Sequence, residues 1–336
     1  MELNINALSD FVKNAEVMFS MGAKSIPQVA RGSGLFKEIA IPQLTGNTRE
    51  FSEIELEEYA SKKTQSDQAS RAKVQQGYSK IGTLYRVAKD IGVSYEWRTQ
   101  GKYPEIKQSL ISLGGLAAKR LDLDLTHRIT FCTATSYTDK DGDTVSTTVG
   151  DTYQLAYTAH TLKGSSTTYR NRLANNPQFS RGALEAMELM AKQNSYNHMG
   201  EQTFISFDVI WSGNDPNTVN SIKEVLKSTS NPTQNNSAVV NTYQTKYRHV
   251  ELPRLATTAV GAPDTTKEKY WGLASTAESS AYLGMHEEPH MKAPTGDGTS
   301  AEEFSTDDWN FGVRGGWMIV IAGSRWFCVS TGDATA

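Results

Sequence analysis

Residues 104–130, PEIKQSLISLGGLAAKRLDLDLTHRIT, decide how the rest of the chain is read. Ile106, Leu110, Leu113, Ala117, Leu121 and Leu125 recur at steps of three and four, which places them on one face of an α-helix. Pro104 falls in the first turn, where a missing N–H costs nothing. A helix over 104–129 is a rod of roughly 40 Å at ~1.5 Å per residue. Gly114 and Gly115 weaken its middle by up to ~1 kcal/mol each relative to Ala, and the expectation is that they admit a closely packed sheet.

On the N-terminal side of this rod two patterns have a period of two. Ile54 and Leu56 alternate with glutamates, and Ile91, Val93, Tyr95 and Trp97 alternate with polar residues. Both predict half-exposed strands. Between them SKKTQSDQASRAKVQQGYSK (61–80) has almost nothing to bury, so it predicts a long hairpin projecting from the body. Residues 22–50 mix Gly, Pro and isolated apolar side chains without a period, as suits a segment lying along another surface. Ahead of them Leu8, Phe11, Val12, Ala15 and Phe19 predict a short helix, with Ser9 or Asp10 as its cap.

Beyond the rod, DKDGD (139–143) marks a polar turn and DTYQLAYTAH (151–160) predicts a strand. A helix is expected over 180–193 with Ser180 as cap, then a buried strand in TFISFDVIW (203–211) and a helix from Pro216. The remainder reads as β: VVNTYQTKYRHVEL (239–252), KYWGLAS (269–275), SAYLGM (280–285) and FGVRGGWMIVIAGSRWFCVSTG (311–332). In the last, WMIVIA and WFCVS flank residues 323–325 as a closing hairpin. The class is α+β, with no internal repeat.

The 336 residues carry 34 Lys+Arg against 37 Asp+Glu, a net charge of −3, which argues against a protein built chiefly to grip phosphates. Cys132 and Cys328 are too few for a disulfide framework and are expected as buried thiols. The longest apolar run, 317–322, is far short of the roughly 20 residues that span a bilayer. The first residues lack a signal pattern, so synthesis is expected in a cytoplasm with no membrane step.

Candidate chemistry is thin. His286-Glu287-Glu288-Pro289-His290 matches the zinc-hydrolase string, but that motif needs a helix, and Pro289 inside one costs roughly 3 kcal/mol. Asp139, Asp141 and Asp143 alternate as in a calcium loop, yet Gly142 comes too early and Gly150 stands where the closing glutamate belongs. Gly32 and Gly34 lack the third glycine of a dinucleotide fingerprint. His127, His160, His198 and His249 are dispersed. The six tryptophans, Trp97, Trp211, Trp271, Trp309, Trp317 and Trp326, lie in or beside apolar strands and are expected in the core. No catalytic, cofactor or metal set is nominated.

The order of irregular arm, polar hairpin, long helix, second helix, strand and helix, and closing strands resembles the major capsid proteins of tailed bacteriophages. It most resembles the Mu-like major head subunit branch of the HK97 fold. EIELEEYASKK, GYSKIGTLYRVAKDIGVSYEW, the 104–130 helix, DTYQLAYTAH, LPRLATTA and WNFGVRGGWMIVIAGSRWFCV sit where that branch has comparable segments, over nearly the whole chain. The resemblance implies an N-arm at 1–50, an E-loop hairpin at 51–100, and a peripheral domain with its spine helix at 101–202. It implies an axial domain at 203–304 and closing strands of the peripheral domain at 305–336. It further implies a homo-oligomer of hexamers and pentamers forming an icosahedral shell around double-stranded DNA. The expected partners are portal, scaffolding and decoration proteins, in a virion assembled in a bacterial cytoplasm. Lys62, Lys63, Arg71, Lys73, Tyr78, Lys80, Phe11, Phe19 and Phe36 are the expected inter-subunit contacts. Lysine cross-linking of subunits is not expected, since no partner asparagine or activating acid is identifiable. The rival readings are an encapsulin-like nanocompartment shell and, from another class, a zinc hydrolase using 286–290.

Overall fold

A computed structural model describes residues 5–41, 46–229, 240–294, 305 and 308–333, with the side chains of 5–11 and 98 excepted. The chain opens with helix α1 (Ile5–Ser25), a single helical turn α2 (Val29–Gly32) and strand β1 (Lys37–Ala40). Strands β2 (Thr48–Leu56) and β3 (Val74–Thr83) form an antiparallel hairpin. It is followed by β4 (Tyr85–Val93), the short helix α3 (Tyr95–Thr99) and the long helix α4 (Tyr103–Thr130). The hairpin thus closes at Thr83 and not beyond Trp97. Ile91 and Val93 belong to β4, while Tyr95 and Trp97, expected as strand, sit in α3 with Trp97 exposed.

Helix α4 runs as its period predicts, about 42 Å long at ~1.5 Å per residue. Ile106, Leu110 and Leu113 of its first half pack with Ala15 and Phe19 of α1 and with Phe311 and Val313 of a late strand. Leu121, Leu125 and Ile129 of its second half reach the largest core cluster. Gly114 faces α1 and not a sheet: a Cβ there would collide with the Phe19 carbonyl, and one at Gly22 with the Ile111 carbonyl. The two helices therefore touch backbone to backbone. Gly114→Val is expected to force them apart and cost about 1–3 kcal/mol, read as a lower urea midpoint at an unchanged slope.

After α4 come two small hairpins, β5 (Ser136–Thr138) with β6 (Thr144–Ser146) and β7 (His160–Leu162) with β8 (Ser165–Tyr169). Residues 151–159, expected as strand, are mainly turns. Leu155 and Ala156 are both in the core although consecutive, and their neighbourhood spends its backbone bonds on Cys132 O and the Asn171 side chain. Helix α5 (Arg181–Gln193) starts at Ser180, whose hydroxyl accepts from Ala183 N at 3.1 Å. Strand β9 (Val209–Ser212) is shorter than expected and leaves Phe204 exposed. Helix α6 (Pro216–Lys227) follows, with Asp215 as its cap.

The last strands are β10 (Arg248–Glu251), β11 (Trp271–Ala274), β12 (Ala281–Lys292), β13 (Trp309–Ile321) and β14 (Phe327–Ser330). They sort into two four-stranded sheets, β1-β12-β13-β4 and β10-β9-β11-β14. The expected closing hairpin does not form: β13 pairs with β12 and β4, β14 pairs with β11, and residues 322–326 carry the chain from one sheet to the other.

Strand alternation divides the core. In the second sheet Val209, Trp211, Phe327 and Val329 face the cluster shared with α4, whereas Ile210, Leu273 and Cys328 face α5 and α6. Along β13, Phe311 and Val313 face the α1–α4 contact, and Trp317, Ile319 and Ile321 face the second half of α4. Met318 and Val320 point the opposite way, under Phe51 and Leu84 at the foot of the hairpin. Trp211, Trp271, Trp317 and Trp326 are buried as expected. No helix of the described residues is long and apolar enough to cross a membrane.

Candidate assembly surface

The hairpin has two unlike faces because its side chains alternate. On the inner face Glu53 and Glu55 of β2 reach the body. Glu53 accepts from His198 Nε2 at 2.8 Å and from Arg325 Nη2 at 3.3 Å. Glu55 accepts from the His198 backbone N–H at 2.7 Å and pairs with the same guanidinium. Arg325 also donates to the Tyr196 carbonyl at 2.9 Å. Gly77 lies opposite this group at a register shift between the strands, and a Cβ there would strike the His198 ring. The bulge and its glycine are what let the histidine close on the hairpin.

Burial alone would raise the Glu53 carboxyl. The His198 hydrogen bond and the Arg325 charge outweigh that and hold it below its ordinary value. Burial would likewise lower the Arg325 guanidinium, and the two glutamates hold it above normal. Donor atoms of Glu53, Glu55 and His198 lie within 4.8 Å of one another, a spacing compatible with a cation. The Arg325 guanidinium already supplies positive charge to both carboxylates. The group is best described as a clamp of two acids by one arginine and one histidine.

Further bonds fasten the hairpin along its length. Glu58 N donates to Glu201 at 2.8 Å, the Tyr59 hydroxyl to the Gln202 carbonyl at 3.2 Å, and Lys163 Nζ to the Gly77 carbonyl at 3.1 Å. Tyr78 meets the Thr161 hydroxyl at 3.0 Å, and Lys80 donates to Thr148 Oγ1 at 2.6 Å. The outer face carries Ile54, Leu56, Val74 and Ile81, each 60–69% exposed. Beyond Glu57 the tip, including Lys62, Lys63, Arg71 and Lys73, is exposed throughout.

The nine expected contact residues therefore separate. Lys62, Lys63, Arg71 and Lys73 stand free of the core. Tyr78 and Lys80 are turned inward against the subunit's own body. Phe19 and Phe36, at 6% and 5% exposure, are core residues because α1 and the segment after α2 find their packing within the subunit. The Phe11 side chain lies outside the described residues. Sequence reasoning missed the clamp and the apolar outer stripe. Ile54 and Leu56 between glutamates were the available signal, with the apolar residues on the outer face and the acids on the inner one.

The zinc-hydrolase string is part of strand β12. Residues four apart along a strand stand roughly 13 Å apart at ~3.3 Å per residue, too far to share a metal. His286 Nδ1 instead meets the Ile41 carbonyl at 2.8 Å, and His290 Nδ1 meets the Glu288 carbonyl at 3.1 Å. Asp139 and Asp141 are bridged by Arg120, at 2.8 and 2.6 Å, where a loop cation would sit. His160 is buried against Asp151 at 2.7 Å, and its other nitrogen faces the Leu155 carbonyl at 3.3 Å, so no nucleophile stands before it. His249 meets Ser212 at 2.9 Å, but that serine is fully buried.

No family model and no curated protein matches the chain. Among solved structures it is similar to the capsid of cyanophage P-SCSP1u, at a TM-score of 0.51 and 11% identity over 88% of this chain and 85% of that one. Also similar are the capsid asymmetric unit of cyanophage Pam1 (0.49, 12%, 89% and 89%) and a virus-like particle from Pyrococcus furiosus (0.47, 14%, 94% and 97%). The projecting hairpin, the long helix beside a four-stranded sheet and the second sheet flanked by helices, together with the first of these likenesses, establish the HK97-like capsid fold.

Proposed function

We propose that the chain is a major capsid protein that self-assembles through hexamers and pentamers into an icosahedral shell around double-stranded DNA. The observation that carries this reading is the hairpin: its inner face is fastened to the body while four large apolar side chains stand exposed on its outer face. A lone subunit gains nothing from that arrangement, since exposed apolar surface on a projecting strand pair favours pairing with another chain. A neighbouring copy that covers the stripe removes the cost, and a contact between unlike surfaces builds closed rings when its rotation closes.

The strand pairings support a peripheral domain made of α4 with β4, β12 and β13, and an axial domain made of β9 to β11, β14, α5 and α6. In this reading β12 passes from the expected axial range to the peripheral one, and α5 and β14 pass the other way. The segment order supports the Mu-like branch. The role is structural and not catalytic, in a virion assembled in the cytoplasm of a bacterial host with scaffolding, portal and decoration proteins as partners. DNA is held without sequence specificity.

Expression of the full chain, alone and with a scaffolding protein, is expected to give rings or icosahedral particles in electron micrographs. A monomer at all concentrations in both cases would overturn the proposal. Mass spectrometry of particles from their natural source separates the phage reading, which brings portal and tail proteins, from a nanocompartment, which brings an enzyme cargo.

A further inference from the structure

We propose that the cavity between the foot of the hairpin and helix α4 is a binding site for a small tetrahedral oxyanion of the phosphate or sulfate class. The cavity, about 450 Å³, is walled by β3, the start of β4, α4, the β5–β6 hairpin and β13. Its charges are unequally paired. Arg120 takes up Asp124 at 2.8 Å, Asp139 at 2.8 Å and Asp141 at 2.6 Å, and Asp143 is exposed. Arg86 of β4 adds a further positive charge to the lining, and Lys80 and Arg128 make no ion pair among the described residues.

These two cations are drawn to one short segment. Lys80 Nζ donates to Thr148 Oγ1 at 2.6 Å, and Thr148 Oγ1 lies 2.9 Å from Ser146 Oγ. Arg128 Nη1 donates to the Ser146 carbonyl, while Arg128 Nε is buried with no hydrogen-bond partner. Asp151, whose charge acts on Lys80, is already engaged by His160 at 2.7 Å. Burial and then the Arg128 charge push the Lys80 ammonium below its ordinary value, so the two cations repel each other in a partly dry space.

An anion between them answers the two unpaired charges. Lys80 has three N–H donors and uses one here, the Arg128 guanidinium has five and spends one on Ser146 among the described residues, and the hydroxyls of Ser146 and Thr148 can turn to donate. A tetrahedral oxyanion accepts several charge-assisted bonds at once, and it cancels the repulsion between the cations. Because the ligand joins β3 to α4, it braces the same inner face of the hairpin foot that Arg325 clamps. The inference stands on the subunit alone and does not depend on the shell reading.

The test is calorimetric titration of the full chain with inorganic phosphate, and separately with sulfate, at constant ionic strength in a zwitterionic buffer. Saturable binding near one equivalent is expected, with a thermal midpoint that rises with ligand as binding to the folded state requires. Lys80→Gln and Arg128→Gln should each weaken binding at least about tenfold, and Lys80→Arg should retain it within about threefold. Absence of saturable binding to the unaltered protein would overturn the proposal, whether or not any variant folds. Equal binding by the unaltered protein and by folded Lys80→Gln would overturn it too.

Discussion

Replacing residues 60–71 with an Asn-Gly turn is expected to leave a folded subunit that no longer forms particles. Every residue of that segment is exposed and none belongs to a core cluster, so its loss should shift the unfolding free energy by no more than about 0.5 kcal/mol. The strand register survives, because Leu56 still pairs with Val74 and Glu57 N still donates to the Lys73 carbonyl. Assembly is another matter. Lys62, Lys63, Arg71 and Lys73 depart with the tip or lose their reach, and the apolar outer stripe is left on a stub. Circular dichroism should show native unfolding, and micrographs should show no shells. Normal particles from the shortened chain would remove the hairpin from the assembly contact. A sharper companion is Leu56→Asp, which keeps the whole hairpin but places a charge opposite Val74 on the outer face. It should reduce particle yield severely without altering the subunit's unfolding.

The long helix was legible because a period of 3.6 sustained over seven turns has no competing explanation. The hairpin was legible as polarity between two alternating runs, but its end was misplaced. Ile91 and Val93 alternate as well as any hairpin strand, and nothing local says that they pair with β13 instead of β2. The closing hairpin failed for the same reason. WMIVIA and WFCVS are both good strands with a plausible turn between them, and the choice of partner is made by sheets distant in sequence. Gly22, which opened the stretch without a period, belongs to α1, where it faces the Ile111 carbonyl while Gly114 of α4 faces that of Phe19, a close approach that only contact reveals. The clamp was invisible for a stronger reason. Glu53 is separated from His198 by 145 residues and from Arg325 by 272, and each is a common surface residue type.

Arg325→Met should destabilise the subunit by roughly 3 kcal/mol near neutral pH, the scale for stranding mostly buried charges without their partner. Two carboxylates would then face each other with only His198 between them. The loss should depend on pH in a definite direction. Glu53 sits below its ordinary value of 4.5 in the folded subunit, so it contributes stability above that value. That contribution fades as pH falls through the lowered folded value. The gap between the unaltered protein and Arg325→Met in urea unfolding should therefore be widest above pH 5 and narrow in acid. Adding Glu53→Gln and Glu55→Gln to Arg325→Met should recover part of the loss, because the stranded charges go with them. An identical gap at pH 7 and pH 3.5, or no recovery in the triple variant, would mean that Arg325 acts by packing alone. If the dependence holds, the inner face of the hairpin is secured by charge and its outer face by contact with a neighbour. Acid should then loosen the hairpin foot in free subunits, seen as new protease cleavage within β2 and β3, before it unfolds the core shared by α4 and the two sheets.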